Sequence, residues 1–260
     1  MAGTGLAERS HEGRVSAQFG PQAAAYVTSA VHASGPDLET LAAVLAHERP
    51  RRLLDLGCGG GHVSLAAAPF AREVVAYDLS AAMLAAVAGE ADRRGLSHIK
   101  TAEGVAEALP FADATFDAVA SRYSAHHWRD LGAGLAEARR VLKPGGLAVF
   151  MDVVAPAWPV ADSFLQAIEL LRDPSHGRDF SRAEWEASVA QAGFALERAE
   201  PQRLRLDFNS WVQRIRTPEL HVAAIRSLQT GASADIARYF EIEPDGTFTL
   251  DTLTLVTRAS

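Results

Sequence analysis

The feature that most restricts the fold of this chain is a glycine-rich segment, Gly57-Cys58-Gly59-Gly60-Gly61, between two apolar runs. The first run covers residues 52–56 and the second covers 63–70. This order predicts a buried β-strand, a tight turn and an α-helix. A turn with almost no side chains lets the backbone approach either a ligand or a neighbouring helix closely, and the glycines alone do not decide between these two uses.

The alternation of strand and helix continues along the chain. Further strands are predicted at 73–77, 98–103, 116–121 and 147–154, and helices at 81–94 and 131–142. Residues 143–146, Lys-Pro-Gly-Gly, supply a stop signal for the second of these helices. Because the crossover between two parallel strands must pass over the sheet, this pattern predicts an α/β, doubly wound domain with helices on both faces.

The pattern changes after residue 154. Apolar residues recur at helical spacing over 160–171 with no adjacent strand, which indicates a helical insertion. Helices at 181–191 and 209–229 and strands at 194–208 and 247–257 are predicted to follow, the last strand after a hairpin-type turn at Asp245-Gly246. With neither an internal repeat nor a low-complexity linker, a second independent domain is not expected.

Composition excludes several classes of function. The formal net charge of -7 repels phosphate backbones, so nucleic acid is not an expected partner. No stretch approaches the roughly 20 apolar residues of a membrane helix, and the amino terminus lacks a signal-peptide pattern, so we expect no membrane association and a cytoplasmic location. The single cysteine excludes an internal disulfide and a multi-cysteine metal site, and no metal is expected.

Two carboxylates flank the glycine segment and indicate a ligand. Asp55 would repel a pyrophosphate but suits a ligand that carries an ammonium and a sulfonium. A dinucleotide fingerprint needs a third glycine where this chain has His62. Asp78 ends the second predicted strand, where its oxygens can accept hydrogen bonds from both ribose hydroxyls of an adenosine. Alternatively Asp78 caps the next helix, although Ser80 could serve as that cap.

Four segments, 53–62, 77–78, 104–117 and 143–146, together resemble the motifs of class I S-adenosylmethionine-dependent methyltransferases in order and spacing. The pattern is similar to that of small-molecule enzymes such as the ubiquinone and menaquinone biosynthesis methyltransferases, over roughly 19–154. The resemblance implies a Rossmann-like, seven-stranded, mostly parallel sheet with an antiparallel last strand. It implies one methyltransferase domain over 1–260, made of amino-terminal lid helices (1–45), a cofactor-binding core (46–154) and helical substrate-side insertions (155–192 and 209–240).

The resemblance also implies which residues bind S-adenosylmethionine, with S-adenosylhomocysteine as the product. Asp55 and Gly57 would hold the methionine portion, Gly59 and Gly61 would allow its close approach, and Asp78 would bind the ribose. The remaining implied cofactor contacts are Leu79 and Met83 at the adenine, the backbone amides of Val105 and Ala106, Ser121 at the end of the fourth strand, and Tyr26 in the lid. Met83 fits an ordinary core position equally well. Where this chain has Val105, the family commonly has an acidic residue, so the adenine amino group loses one side-chain partner.

Candidate acceptor-side residues follow the fourth strand. His126 and His127 are candidate general bases, because histidine takes protons near neutral pH, or they form a helix start with one ring hydrogen bonded locally. A zinc site is disfavoured, since neighbouring side chains point apart. Arg122 could bind an acidic substrate or form an ion pair. The other candidate substrate contacts are Tyr123, and Ser175 and His176 in a turn that either lines the pocket or caps a helix.

The sequence therefore predicts a methyltransferase that acts on a small aromatic or heterocyclic molecule, as a monomer or a homodimer. Two alternatives remain open at this point. One is a nucleotide-dependent oxidoreductase, which the missing third glycine and Asp55 disfavour. The other is a noncatalytic S-adenosylmethionine-binding module, which only kinetic measurements separate from an enzyme. Fold and cofactor do not identify the acceptor.

Overall fold

A computed structural model describes residues 10–20 and 34–260 of the chain. Seven strands within these ranges form one sheet with the order β3-β2-β1-β4-β5-β7-β6. The strands are β1 Arg52–Leu56, β2 Glu73–Asp78, β3 Ile99–Glu103, β4 Phe116–Arg122, β5 Leu142–Val153, β6 Phe194–Leu206 and β7 Phe248–Ala259. Neighbouring strands among β1 to β5 pair in parallel, whereas β7 is antiparallel to both β5 and β6. The predicted fold class and the antiparallel last strand are confirmed.

Helices cover both faces of the sheet, as predicted for a doubly wound fold. The α-helices are α1 His11–Phe19, α2 Pro36–Glu48, α3 His62–Ala67, α4 Ala81–Arg93, α5 Leu131–Val141, α6 Pro159–Arg172, α7 Arg182–Gln191, α8 Phe208–Arg214, α9 Glu219–Thr230 and α10 Ala234–Tyr239. A 3₁₀ turn, Ala125–His127, follows β4. No helix of the described ranges is long and apolar enough to cross a membrane.

The central strands are apolar because both of their faces are covered. In β1, Leu54 and Leu56 pack with the buried residues of α5 and α7, while Leu53 packs on the opposite side with those of α2, α3 and α4. Pairing of Leu56 with Tyr77 brings the carboxyl ends of β1 and β2 to the same edge. Ligands bind at such an edge in open α/β sheets, where the strand order reverses.

A third apolar cluster lies at the carboxyl-terminal part of the chain. Leu165 of α6, Trp211 of α8 and Ile225 of α9 pack together with Phe248 and Leu250 of β7. These contacts fix the helices that the sequence indicated as insertions beside the ends of β5, β6 and β7. The last helix, α10, lies inside the predicted helical insertion 209–240 but beyond the individual helix predicted at 209–229.

The boundary between α5 and β5 differs from the prediction. The segment 143–146 was expected to separate helix from strand, but β5 begins already at Leu142 and includes it. Phe116 pairs with Leu142 and Ala118 pairs with Leu147, so the four residues form an irregularity inside the strand pairing. Gly145 accommodates this with a φ of 71°.

Candidate active site

A large cavity opens at the carboxyl ends of β1, β2 and β4. Its walls come from the glycine turn after β1, the end of β2, the 3₁₀ turn, α1, α6, α8 and facing residues of β6 and β7. The empty volume, which includes the open mouth, is about 1890 Å³. Ligands of open α/β sheets bind at this position, outside the carboxyl ends of the strands.

The three glycines that were predicted to approach the cofactor have different surroundings. A Cβ on Gly57 would lie 1.8 Å from the Ser124 hydroxyl oxygen, and a Cβ on Gly61 would lie 2.9 Å from Val87. Both glycines also have left-handed backbone angles, with φ of 73° and 78°. Gly61 is not part of the cavity wall that the structure describes, and its lack of a side chain allows close packing of α3 on α4, so its contact with the cofactor stays a prediction. Gly59, with φ of 47°, borders the cavity, and a Cβ added there would meet no atom of the described residues within 4 Å.

Asp55 lies buried under the glycine turn. Its Oδ2 accepts hydrogen bonds from the backbone N–H of Ser64, at 2.9 Å, and from the Ser64 hydroxyl, at 2.6 Å. Its Oδ1 is buried and has no hydrogen-bond partner among the described residues. Burial raises the pKa of Asp55 to about 7, even though the bonds from Ser64 oppose this shift. A buried carboxyl oxygen without a donor, in the wall of a cavity, fits a ligand that brings an ammonium group.

Asp78 is held by backbone donors at the end of β2. Oδ2 accepts a hydrogen bond of 2.8 Å from the N–H of Gly59, and Oδ1 accepts one of 2.9 Å from the N–H of Ser80. Each oxygen keeps a second acceptor position, because a carboxylate oxygen has two lone pairs. Burial raises the pKa of Asp78. The cap of α4 is Ser80, whose hydroxyl accepts from Met83, so the alternative role of Asp78 as the helix cap does not apply.

The residues expected at an adenine lie together on one side of the cavity. Leu79, Met83, Val105 and Ala106 all belong to its wall. Met83 is also buried in the core, so the two interpretations of this residue coincide. The Tyr77 hydroxyl donates a hydrogen bond of 3.0 Å to the carbonyl of Val105 and thereby fixes the loop after β3.

His126 and His127 lie in the opposite wall of the cavity, in the 3₁₀ turn. The Nδ1 of His126 lies 2.6 Å from Oδ1 of Asp152, near the end of β5. Burial disfavours the charged form of His126, but the charge and hydrogen bond of Asp152 outweigh burial and raise the pKa of His126 to about 9. The pKa of His127 is lowered to about 4, by burial and by the neighbouring charge of His126.

Comparison with known proteins decides the family. A protein of Escherichia coli (strain K12) named only as uncharacterized protein YafE is 49% identical over 75% of this chain and 94% of its own length. The uncharacterized methyltransferase YcgJ of Bacillus subtilis (strain 168) is 34% identical over 77% of this chain and 79% of its own length. The methyltransferase domain family matches residues 54–150. The chain is a class I S-adenosylmethionine-dependent methyltransferase.

Structural comparison agrees with this assignment to the class I methyltransferases. The crystal structure of the YcgJ protein superimposes with a TM-score of 0.82 at 30% identity, over 86% of this chain and 97% of that one. Similarity to the demethylmenaquinone methyltransferase of Chlorobaculum parvum, 39% identical, covers only 44% of this chain and 45% of that enzyme. The resemblance to quinone-biosynthesis enzymes is therefore limited to part of the chain, whereas the similarity to YafE and YcgJ extends over three quarters of it.

The methyltransferase does not bring every predicted residue to its cavity. Ser175 and His176 are buried behind the histidine pair and are not part of the cavity wall. The Ser175 hydroxyl donates to Asp173 at 2.6 Å, and Nε2 of His176 lies 3.0 Å from Oε1 of Gln166. The structure therefore places both residues in a layer that supports the histidine pair, and not at the cavity surface where a substrate contact was predicted.

Ser121 and Tyr26 also lie apart from the cavity wall that the structure describes. Ser121 is buried, and its hydroxyl oxygen has no hydrogen-bond partner in the residues that the structure covers. It is not among the residues lining the cavity, in contrast to the next two residues of the chain, Arg122 and Tyr123. Tyr26 lies outside the described residues.

Arg122 and Tyr123 line the cavity of the methyltransferase, and Arg122 forms a buried ion pair with Asp37 of α2. The guanidinium also stacks over the Tyr123 ring, 4.7 Å from its centroid. Of the two interpretations considered for Arg122, an ion-pair partner and a substrate contact, the structure shows the first directly.

Glu169 and Asp179 lie in the cavity wall but were not predicted from the sequence. Glu169 and Arg172 of α6 form an ion pair of 3.6 Å, and Asp179 lies in the loop that follows. Asp152, which orients His126, was also not predicted. It is the one charged residue in the apolar run Phe150 to Val154, and a carboxylate in a buried strand could have indicated a functional residue. No group of His, Cys, Asp and Glu side chains within 10–20 and 34–260 has the arrangement of a metal site.

Proposed function

We propose that this enzyme transfers the methyl group of S-adenosylmethionine to a small aromatic or heterocyclic molecule. The observation that carries the proposal is the continuity of the cavity, which joins the Asp55 and Asp78 carboxylates at one end to the histidine pair and an apolar wall at the other. When bound, S-adenosylmethionine supplies a methyl group activated by a positively charged sulfur. The protein must then hold the acceptor in line with that methyl group and exclude water.

The cofactor end of the cavity supports a specific orientation of the donor. The unpartnered Oδ1 of Asp55 would accept from the ammonium group, and the carboxylate of Asp78 would accept from the ribose hydroxyls. The open side of Gly59 lets the ligand contact the backbone there. Leu79 and Met83 would then contact the adenine.

The acceptor end is apolar with a polar patch. Val153, Leu206, Trp211 and Leu250 contribute apolar surface, which favours a planar or hydrophobic acceptor. The polar patch contains His126 and His127. We propose that this pair takes up the proton that the acceptor loses. Arg122 and Tyr123 border the acceptor space. We propose that they shape this space and that Arg122 does not bind a charged acceptor, since it already pairs with Asp37.

Helix α1 is placed to close this space, which supports a lid role for residues 11–19 of the predicted lid, whereas α2 packs against β1 in the core. His11 donates to the carbonyl of His127 at 2.7 Å, and Gln18 donates to the carbonyl of Ile215 at 3.1 Å. The helix therefore spans from the 3₁₀ turn to the end of α8, and Phe19 packs edge-on against the His127 ring. Closure in this manner excludes water from the reacting groups.

The proposed function is tested by methyl transfer from S-adenosylmethionine with a labelled methyl group into a bacterial metabolite extract, resolved by mass spectrometry. We expect label in a compound of low molecular weight with the wild-type enzyme, and not with Asp78→Ala as the matched control. Label in protein or nucleic acid alone would contradict a small-molecule acceptor. Saturable binding of S-adenosylhomocysteine without transfer into any fraction would instead indicate a noncatalytic module.

A further inference from the structure

The two adjacent histidine rings of the acceptor end lie close enough to influence each other's charge. Their ring centroids are 4.3 Å apart, and the planes are tilted by 52°. Two imidazolium cations at this distance in a buried site would repel each other strongly. The pair therefore titrates as one unit, in which the first proton makes the second harder to add.

Asp152 favours His126 as the site of that first proton. Its Oδ1 lies 2.6 Å from Nδ1 of His126. The carboxylate is itself fixed by two backbone donors, since Oδ2 accepts from the N–H of Ala125 and Oδ1 accepts from the N–H of Val153, each at 2.9 Å. Asp152 is buried, so its charge acts on His126 with little screening by water.

His127 is oriented by a different kind of partner. Its Nδ1 lies 3.1 Å from the carbonyl oxygen of Ser175, and a carbonyl only accepts hydrogen bonds. Nδ1 therefore carries the hydrogen, which leaves the lone pair of the neutral ring on Nε2. Asp173 lies 3.9 Å from that Nε2 and can offset a positive charge that His127 gains.

We propose that the pair holds a single excess proton, that Asp152 places it on His126, and that His127 is thereby kept neutral to receive the acceptor's proton at Nε2. Asp152 is a positioning residue in this account, because it acts through His126. The placement of the proton stands independently of any acceptor, whereas the base role of His127 rests on the proposed function.

The other charged groups around the pair agree with this distribution. Burial lowers the pKa of His126, but Asp152, Asp179 and Glu169 favour its charged form and outweigh burial. Burial in turn raises the pKa of Glu169 and, more strongly, that of Asp179, so Asp152 is the main partner of the charge. At His127, burial and the charge of His126 lower the pKa more than Asp173 and Asp152 raise it. The third histidine of the cluster, His176, stays neutral, since burial and the charges of its neighbours lower its pKa to about 2. Arg172, which is paired with Glu169, adds a further positive charge that helps to lower the pKa of His176.

The reaction step balances with these roles. An electron pair of the acceptor atom, a lone pair of a hydroxyl or a π pair at a ring carbon, forms the bond to the methyl carbon as the carbon–sulfur bond breaks. The electron pair of the broken bond stays on sulfur. The acceptor atom loses its own proton to Nε2 of His127. A base with a pKa of about 4 suffices for this, because a hydroxyl or ring position becomes strongly acidic once the methyl group is attached.

The proton placement is tested by ¹⁵N NMR of the imidazole rings in the full chain at pH 7, with signals assigned through His126→Gln and His127→Gln. We expect one imidazolium ring, His126, and one neutral ring with the hydrogen on Nδ1, His127. In Asp152→Asn the imidazolium signal of His126 should be lost at pH 7, whereas Asp92→Asn, which changes an exposed carboxylate of α4, should leave it. Two neutral rings in the wild type, or an unchanged His126 signal in Asp152→Asn, would overturn the proposal.

The base role is tested separately by turnover on any acceptor found for the wild type. His127→Gln should lose turnover by about 100-fold, without a matching change in the affinity for S-adenosylhomocysteine. Full turnover in His127→Gln would refute the base role while the NMR result still decides the proton placement. A failure to find any methylated acceptor would count against the proposed function and not against the proton placement.

Discussion

The carboxylate of Asp78 accepts a hydrogen bond of 2.8 Å from the backbone N–H of Gly59. This bond joins the end of β2 to a position of the glycine turn where an added Cβ would meet no other atom of the described residues. The same carboxylate therefore shapes the turn and presents acceptor positions to the cavity. Substitution of either residue is expected to reduce cofactor affinity more than it reduces the free energy of unfolding.

Replacement of Asp78 by alanine should weaken binding of S-adenosylhomocysteine by about 1 to 3 kcal/mol, the range for loss of hydrogen bonds to a charged group. The measurement is isothermal titration calorimetry of both proteins. Asp92→Ala, which removes an exposed carboxylate of α4, is the matched control and should bind like the wild type. An unchanged dissociation constant in Asp78→Ala would remove Asp78 from the site.

Alanine substitutions at Gly57 and Gly59 should distinguish a glycine required for packing from one required for contact with the cofactor. In Gly57→Ala the new Cβ would lie 1.8 Å from the Ser124 hydroxyl oxygen, so the free energy of unfolding should fall by more than about 2 kcal/mol. In Gly59→Ala the left-handed backbone costs about 1–2 kcal/mol, and the larger effect should fall on cofactor affinity. Urea unfolding and calorimetric titration measure the two quantities.

The glycine comparison has an internal control in Ser124. Removal of that side chain in Gly57→Ala/Ser124→Gly should recover part of the stability lost in Gly57→Ala, because the clash is with Ser124. Equal destabilisation by the Gly57 and Gly59 substitutions, with unaltered cofactor binding in both, would show that the turn serves packing alone.

Cofactor affinity should increase with pH between 6 and 7.5. The pKa of Asp55 is raised to about 7 by burial, so at pH 6 most of its carboxyl groups are protonated and present no charge to the ligand ammonium. Ionisation as the pH rises should strengthen binding, approaching about tenfold over this range. Titrations of S-adenosylhomocysteine at both pH values test this, and Asp55→Asn should flatten the dependence. Affinity that is constant or falls with pH in the wild type would exclude the predicted contact.

Loss of the Arg122–Asp37 ion pair should affect stability first. Both side chains are almost fully buried, so Arg122→Leu leaves an uncompensated carboxylate and should cost about 3–5 kcal/mol in the free energy of unfolding. The double variant Arg122→Leu/Asp37→Leu should recover much of this loss. A stable Arg122→Leu protein that retains cofactor binding but loses turnover would assign Arg122 to the acceptor instead.

The sequence was informative wherever the pattern is local. The strands were predicted close to their observed bounds, because a buried parallel strand such as β1 is a short apolar run between turn residues. The glycine turn, Asp55, Asp78 and the histidine pair were selected as site candidates for the same reason, and the structure places them around one cavity. The limits of the local pattern appear at 143–146, where helix-stop residues form an irregularity inside β5.

Contacts between residues that are distant in the sequence could not be predicted from local patterns. Asp152 meets His126 only because β4 and β5 are neighbours in the sheet, and Arg122 meets Asp37 across 85 residues of chain. The close contact of Gly61 with Val87 likewise depends on where α4 packs in the fold. Ser175 and His176 were predicted at the pocket from their polarity, which does not report the direction in which a turn folds.

The measurement that tests the central claim most directly is a crystal structure of the chain with S-adenosylhomocysteine. We predict density with the ribose hydroxyls on Asp78, the amino group near Oδ1 of Asp55, and the sulfur facing the space in front of His127. A turn at 57–61 that remains empty, or that is filled by the protein's own side chains while the ligand binds elsewhere, would contradict the account.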